Sequence, residues 1–421
     1  MGDVGLHWQG MNKAPLEGKV SVESPYLSGK KPPSYQLPEG ISIHSYEGTK
    51  LPIEVRKEIC SFISENNVMA TGNVTALKLE MVDKFAESGA YCGILRNTLD
   101  VNRPLMGTIF TLPVDLIYRG VGSAEVDGVG CVRLLNDAET STSIKEHTEE
   151  GSGEGGNERV AMKLLIHSCY TSYLCVREDL RSHGVAMALI RCMMTVGWKY
   201  GVRSGYYMSS KPHHRCNLKI SSWFRPLKPV ESMKAGFQLP PINAPGHRDI
   251  SRLYRMQYHM SIPQGYSASE YQEGSQHPEP YRTSWERGMK LCVSFSSRGM
   301  SSILSKFGGM WVLQSGVRRA FFILGDMQVR IGNHKKEVPC IQLSYFTVDP
   351  EADLVSVLKV VGTVALQRGA LALYGYCMGR LTSFGEYAEY RALQCGGADN
   401  YLEIYNGDIE LKPEQVNMLL L

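Results

Sequence analysis

The sequence predicts an α/β (α+β) fold built from two related lobes. The order strand, helix, glycine, strand appears once in each half of the chain, which suggests a repeated unit. The length of 421 residues, 43% of them hydrophobic and 21% charged, is enough for a large core or for two packed domains.

Residues 1–40 are rich in Pro, Gly, Ser and Lys with little periodicity, and are expected to form an extended arm. A helix is predicted to begin at Pro52, with Val55, Ile59, Phe62 and Ile63 on one face. Strands are expected over 91–95 and 105–112. From 136 to 159 the chain turns polar, acidic and glycine-rich. Such a stretch cannot bury enough apolar area to offset its ordering entropy, so it reads as a mobile insertion, either a solvated loop or an electrostatic flap. One apolar strand over 160–176 follows. A helix with Val185, Leu189, Met193 and Val196 on one face then stops at Gly201, before a strand over 203–208. In the second half, strands are expected at 321–324 and 341–346. A helix over 352–368 with Leu354, Leu358, Val361 and Ala365 inward stops at Gly369, and a strand over 370–377 closes the unit. Residues 240–285 give the weakest pattern.

Several function classes are disfavoured. A net charge of +3 without a basic–aromatic stripe argues against nucleic acid. No run of about 18 apolar residues suggests a membrane span, and residues 1–20 lack a signal core, so the expected location is cytoplasmic. Eleven scattered cysteines without a C-x-x-C pair read as free thiols in a reducing compartment. His213, His214 and Cys216 are too few donors, without a partner pair, for zinc, so no metal is predicted. Met1-Gly2 is followed by Leu6 where a myristoylation acceptor has Ser or Thr.

The most informative stretch is 173–186. An apolar strand runs into Arg181-x-x-Gly184-x-Ala186 at a helix N-terminus. A glycine turn there lets successive N–H groups and the positive end of the helix dipole face a pyrophosphate. The pattern is similar to the coenzyme A phosphate loop of the acetyltransferase-like superfamily. Taken alone, it also fits an ordinary strand-to-helix turn. The final segment, 416–421, is apolar with no polar tail, which predicts burial. A desolvated terminal carboxylate has its pKa raised toward the range of a general base, whereas a strand reaching the surface leaves it solvated.

At this point a wider resemblance becomes visible. YLCVREDLRSHGVAMALI over 173–190 resembles the strand and phosphate loop of the protein N-myristoyltransferase family. The stretch 207–229 resembles that family's next segment, with Trp223, Arg225, Leu227 and Pro229 in register. Residues 104–113, Tyr35-Gln-Leu-Pro-Glu-Gly40 and Lys412-Pro413-x-Gln415-Val416 match elsewhere, so the likeness covers most of the chain.

The resemblance implies two tandem acetyltransferase-like (GNAT) lobes in one saddle-shaped mixed sheet with flanking helices. Residues 41–232 would bind acyl-CoA and 233–421 a peptide. The implied activity is transfer of a myristoyl group from myristoyl-CoA, a co-substrate with no prosthetic group needed, to proteins with an N-terminal glycine. Backbone N–H groups of Tyr173 and Leu174 would hold the thioester oxyanion, and Leu421 would supply the basic carboxylate. Arg181, Ser182, His183, Gly184, Val185, Ala186 and Trp8 would bind the coenzyme, and Tyr207, Met208 and Phe224 the acceptor. The chain also departs from the family. Met208 and Phe224 replace Thr and His, and 69–72 lacks the acidic run. His183 and Gly184 replace two cations, and 395–399 blurs a G-D-G segment. These changes keep two other functions in view: a relative that binds acyl-CoA or an acylated partner with weak or no turnover, and an acyltransferase with another amine acceptor.

Overall fold

The computed structural model describes residues 40–67, 74–122, 160–181, 185–202, 204–209, 217–237, 261–272, 289–295, 298–331, 337–382, 393–394, 400–405 and 411–421. The first half runs β1 (Ile41–Glu47), α1 (Ile53–Asn66), β2 (Val74–Ala76), α2 (Leu79–Glu87), β3 (Tyr91–Asn97), β4 (Leu105–Pro113) and β5 (Leu116–Gly122). It continues with β6 (Val160–Ile166), β7 (Cys169–Val176), α3 (Val185–Lys199), β8 (Gly205–Ser209), β9 (Asn217–Ile220), β10 (Ser222–Pro226) and α4 (Pro229–Lys234). The second half comprises β11 (Tyr266–Glu270), β12 (Leu291–Val293), α5 (Arg298–Phe307), β13 (Met310–Gln314), β14 (Val317–Arg330) and β15 (Glu337–Val348). After these come α6 (Leu354–Gln367), β16 (Ala372–Tyr376), β17 (Leu393–Gln394), β18 (Asn400–Tyr405) and β19 (Val416–Asn417).

The architecture is the expected mixed α/β one, with strands in three hydrogen-bonded sheets among the described residues. A seven-stranded sheet has the order β1-β3-β4-β7-β8-β18-β9. An eight-stranded sheet runs β11-β13-β14-β15-β16-β10-β17, with β2 on β14, and a small sheet runs β19-β12-β5-β6. Each large sheet takes a strand from the other half: β18 joins β8 and β9, and β10 joins β16. The parallel pairs β7/β8 and β15/β16 are each crossed by one helix, α3 and α6, so the repeated unit is present in both halves.

Local chemistry explains the helices. Pro52, with its fixed φ, stands at the N-cap of α1, and Ile59, Phe62 and Ile63 of that helix are buried. Asp353 caps α6 by accepting from the Val355 N–H. The four predicted inward residues of α6 are joined by buried Val357, Val360, Thr363 and Val364, so this helix is enclosed nearly all round. Gly201 and Gly369, at φ +82° and +83°, end α3 and α6 in the left-handed conformation that glycine tolerates. Close packing of α3 on its sheet also needs glycine. A Cβ at Gly107 would lie 2.9 Å from Leu189 Cδ1, and one at Gly93 would lie 2.8 Å from Met193 Sδ.

One element differs from expectation. The apolar run 160–176 is two strands in two sheets, β6 on β5 and β7 on β4. The partner run, β4 then β5, changes sheet at the same level, where β4 ends at Pro113, which has no N–H to continue the ladder. The bend is fixed by the Val114 N–H donating to Ser168 O at 3.0 Å and by a 3.0 Å contact between His167 Nδ1 and Asp115. The predicted insertion 136–159 and most of the arm 1–40 lie outside the described residues.

A core shared by both halves binds them together. Phe85 of the first half meets Phe307 of the second edge-on at 5.4 Å, and within the second half Phe295 meets Tyr345 at 4.9 Å. Met418, Leu419 and Leu420 belong to that same core. Among the described residues, no helix is long and apolar enough to cross a membrane.

Candidate active site

The central feature is a broken strand. β7 pairs with β4 at Thr108↔Cys175 and again at Phe110↔Ser172, with a register shift between. Tyr173 and Leu174 are therefore two residues opposite the single Ile109, which is a β-bulge. Tyr173 takes up the kink at φ +49°, a left-handed conformation that is unusual for an aromatic residue. On its other edge, β7 is laddered to β8 only at Tyr170↔Tyr206. The two parallel strands thus part where the bulge turns the backbone, next to the predicted oxyanion residues.

Side chains on either face hold this bend. Tyr173 packs edge-on against Phe85 at 5.4 Å and Phe110 at 6.4 Å. Leu174 packs on the opposite side, against the group of Val185, Leu189 and Met193 on α3. Cys175 is buried on the Tyr173 side, and burial pushes its thiol up to about 12, so it stays protonated near neutral pH and is not poised as a nucleophile.

Beyond the strand, Arg181 Nε donates to Val176 O at 3.2 Å, and another guanidinium nitrogen donates to Asn66 O at 2.6 Å. Arg181 thereby ties the loop to the ends of β7 and α1. Val185 and Ala186 open α3, the first buried and the second partly buried. Ser182, His183, Gly184 and Trp8 lie outside the described residues, as do 69–72, 395–399 and the His213–Cys216 cluster.

The chain's final residues meet β7 from the other side. Leu420 N donates to Ser344 O at 2.8 Å, and Gln342 Nε2 donates to Leu420 O at 2.5 Å. Tyr206 Oη donates to Leu419 O at 3.1 Å. A carboxyl oxygen of Leu421 accepts from Tyr170 Oη at 2.8 Å and from Ser172 Oγ at 3.4 Å. Met418, Leu419 and Leu420 are buried and Leu421 is half-buried. Leu421 thus contacts β7 one residue before the bulge, and the structure brings Tyr173, Leu174 and Leu421 into one neighbourhood.

The remaining predicted residues divide. Met208 is half-buried against the shared core, paired across the sheet with Leu402. Tyr207 faces the other way, opposite Glu403, and its phenol is held well above the usual range, first by burial and then by the nearby Glu403 charge. Phe224 lies on the second sheet, stacked with Tyr374 at 5.9 Å and Phe237 at 6.1 Å. Tyr170, Ser172 and Tyr206, which donate to the tail, were not among the sequence candidates. The period-two pattern of a strand puts Tyr170 and Ser172 on one face, but only the tertiary fold brings Leu421 to them.

A helix-crossed parallel strand pair in each half defines the class: a mixed α/β fold with a repeated unit. No protein-family model matches the sequence, and no curated protein does. Solved structures do share the fold. Saccharomyces cerevisiae N-myristoyltransferase with bound myristoyl-CoA superposes at TM-score 0.69 with 14% identity, over 98% of this chain and 94% of that one. A second structure of the yeast enzyme, with myristoyl-CoA and inhibitors, gives TM-score 0.68 at 14% identity, over 96% and 90%. At that identity the likeness establishes the fold.

Proposed function

We propose that the chain is an acyltransferase that moves a myristoyl group from myristoyl-CoA to the N-terminal glycine amine of acceptor proteins by direct attack. The observation that carries this reading is the meeting of the Leu421 carboxyl group with β7 beside the kink at Tyr173. The shared fold with a myristoyl-CoA-bound enzyme supports it.

In this mechanism the thioester carbonyl sits at the bulge and accepts from the N–H groups of Tyr173 and Leu174. Donors fixed by the main chain act where negative charge develops, each worth about 3 kcal/mol in such sites. The Leu421 carboxylate takes a proton from the glycine ammonium, the neutral amine attacks the carbonyl carbon, and an oxyanion forms. Attack makes the carbon–nitrogen bond; collapse of the oxyanion breaks the carbon–sulfur bond and expels coenzyme A as thiolate, which takes the second proton of the attacking nitrogen and leaves a neutral amide. No acyl-enzyme is needed, in keeping with the protonated, buried state of Cys175. The loop 181–186 with Trp8 holds the coenzyme, and Met208 lines the acceptor side, with Tyr207 on the opposite face of β8.

A second reading has an observation of its own. Met208 and Phe224 offer no hydrogen-bonding group, and Phe224 is taken up by its aromatic stack. That favours a relative that binds acyl-CoA with weak or no turnover. Mass spectrometry of a Gly-initiated peptide incubated with myristoyl-CoA and the protein separates the two: acylated peptide supports transfer, while a myristoyl-CoA-dependent rise in Tm without product supports binding alone.

A further inference from the structure

We propose that Tyr170 positions the Leu421 carboxylate as a proton acceptor, with Ser172 as second donor, and so sets the pH at which transfer begins. The inference rests on the acyltransferase reading and deepens it by naming the residue that controls its base.

The geometry is specific. Tyr170 Oη donates to the carboxyl group at 2.8 Å, Ser172 Oγ reaches the same oxygen at 3.4 Å, and the two hydroxyls lie 3.4 Å apart. The Tyr170 ring has little freedom: it is 5% exposed and packed on Tyr206 at 5.3 Å with 36° between planes. Tyr206 in turn holds the tail two residues earlier, through Leu419 O. Two tilted, packed phenols on neighbouring strands thus clamp the last residues from one side, while Gln342 and Ser344 of β15 hold Leu420 from the other.

The chemistry gives the clamp a consequence. Half-burial of Leu421 beside the buried residues 418–420 favours the neutral acid, whereas hydrogen bonds donated to its carboxyl oxygen favour the anion. The balance fixes where the base becomes available. Tyr170 is suited to be donor only, because burial raises its phenol well above the usual range and keeps it protonated. Among the described residues, the titratable groups that couple with Tyr170 and Tyr206 are phenols and the Cys169 thiol. Tyr170 and Tyr173 come from β7, Tyr206 from β8 and Tyr376 from β16, and Tyr173 and Tyr376 are close enough to couple electrostatically with Tyr170. On β15 the facing groups, the Gln342 amide and the Ser344 backbone, do not titrate. Glu403 on β18 sits opposite Tyr207 and so on the other face from Tyr206.

The test uses the 421-residue protein labelled with carbonyl-13C leucine, in which the Leu421 carboxyl carbon is the leucine signal that titrates. It is assigned by its loss when one alanine is appended. Tyr170→Phe is expected to raise the titration midpoint by about one pH unit, and Ser172→Ala by less. The acid limb of the kcat profile should move upward by the same amount, with the myristoyl-CoA thermal shift unchanged. An unmoved midpoint in both variants overturns the proposal even if transfer persists. A midpoint that moves while the acid limb stays fixed overturns the link to transfer. A wild-type protein that makes no product sinks the acyltransferase reading itself, and the midpoint, measured without substrate, tells that failure apart from the others.

Discussion

Each half of the molecule has a parallel strand pair crossed by one helix, and the two pairs differ in what lies between their strands. β15 and β16 are laddered over Cys340↔Ala372, Ile341↔Leu373 and Gln342↔Tyr374. Where β15 runs on past Gln342, the tail occupies its free edge: Leu420 N bonds Ser344 O, and Asn417 Nδ2 bonds Phe346 O at 2.9 Å. Among the described residues β7 and β8 are laddered at Tyr170↔Tyr206 alone, and the next residues of β7 kink. A splayed pair exposes main-chain donors and acceptors that have to be met. In the second half, protein meets them. In the first, on the acyltransferase reading, a thioester carbonyl does. The same tail that closes one notch brings its carboxyl group to the other, so one short segment links scaffold and site.

The comparison breaks most visibly at the tail. Leu419 is fully buried and its carbonyl is held by Tyr206. Leu419→Ala is expected to cost about 2–5 kcal/mol, read by denaturant unfolding. A loss below about 1 kcal/mol would mean the second notch does not depend on its plug. Next come the glycines that let each half pack closely. A Cβ at Gly375 would meet the Trp223 ring at 2.4 Å, whereas at Gly107 it would meet the movable end of Leu189 at 2.9 Å. Gly375→Ala should therefore destabilise by about 1–3 kcal/mol and more than Gly107→Ala. Gly107→Ala, which presses on Leu189 of α3, should be the one that weakens the myristoyl-CoA thermal shift.

A pH effect should follow from the buried thiols. Cys92 and Cys175 in the first half and Cys340 in the second are pushed up to about 12 by burial, from a model-peptide value of 9.0. Their folded pKa values are raised, so the stability they contribute is present below pH 9 and lost as pH rises through the folded values. Unfolding free energy measured at pH 8 and pH 10 should fall with pH, and a rise contradicts the assignment. The smallest effect is expected at Tyr173→Phe, which keeps the edge-on contacts with Phe85 and Phe110. Its stability should stay within about 0.5 kcal/mol of wild type.

Much of this was legible in the sequence where local and tertiary demands agree. The helix faces of α1, α3 and α6 and the glycines that end α3 and α6 followed from periodicity and capping, and burial of the tail from its apolar end together with the resemblance. The break at His167-Ser168 did not, because an apolar run reads alike whether it stays in one sheet or passes between two. Nor did the exchange of β10 and β18 between halves, which is settled by long-range pairing. At the site, Tyr173, Leu174 and Leu421 were named from pattern and resemblance. Tyr170 and Ser172 escaped notice because ordinary strand hydroxyls gain meaning only from the partner the fold delivers.

The central claim is that the Leu421 carboxyl group, delivered to the kinked strand, is the base for transfer. Appending a single alanine converts that carboxylate into a neutral amide while leaving the preceding residues unchanged. Transfer to a Gly-initiated peptide should then fall by at least about 100-fold, with the myristoyl-CoA thermal shift retained. Undiminished transfer by the extended protein would contradict the account.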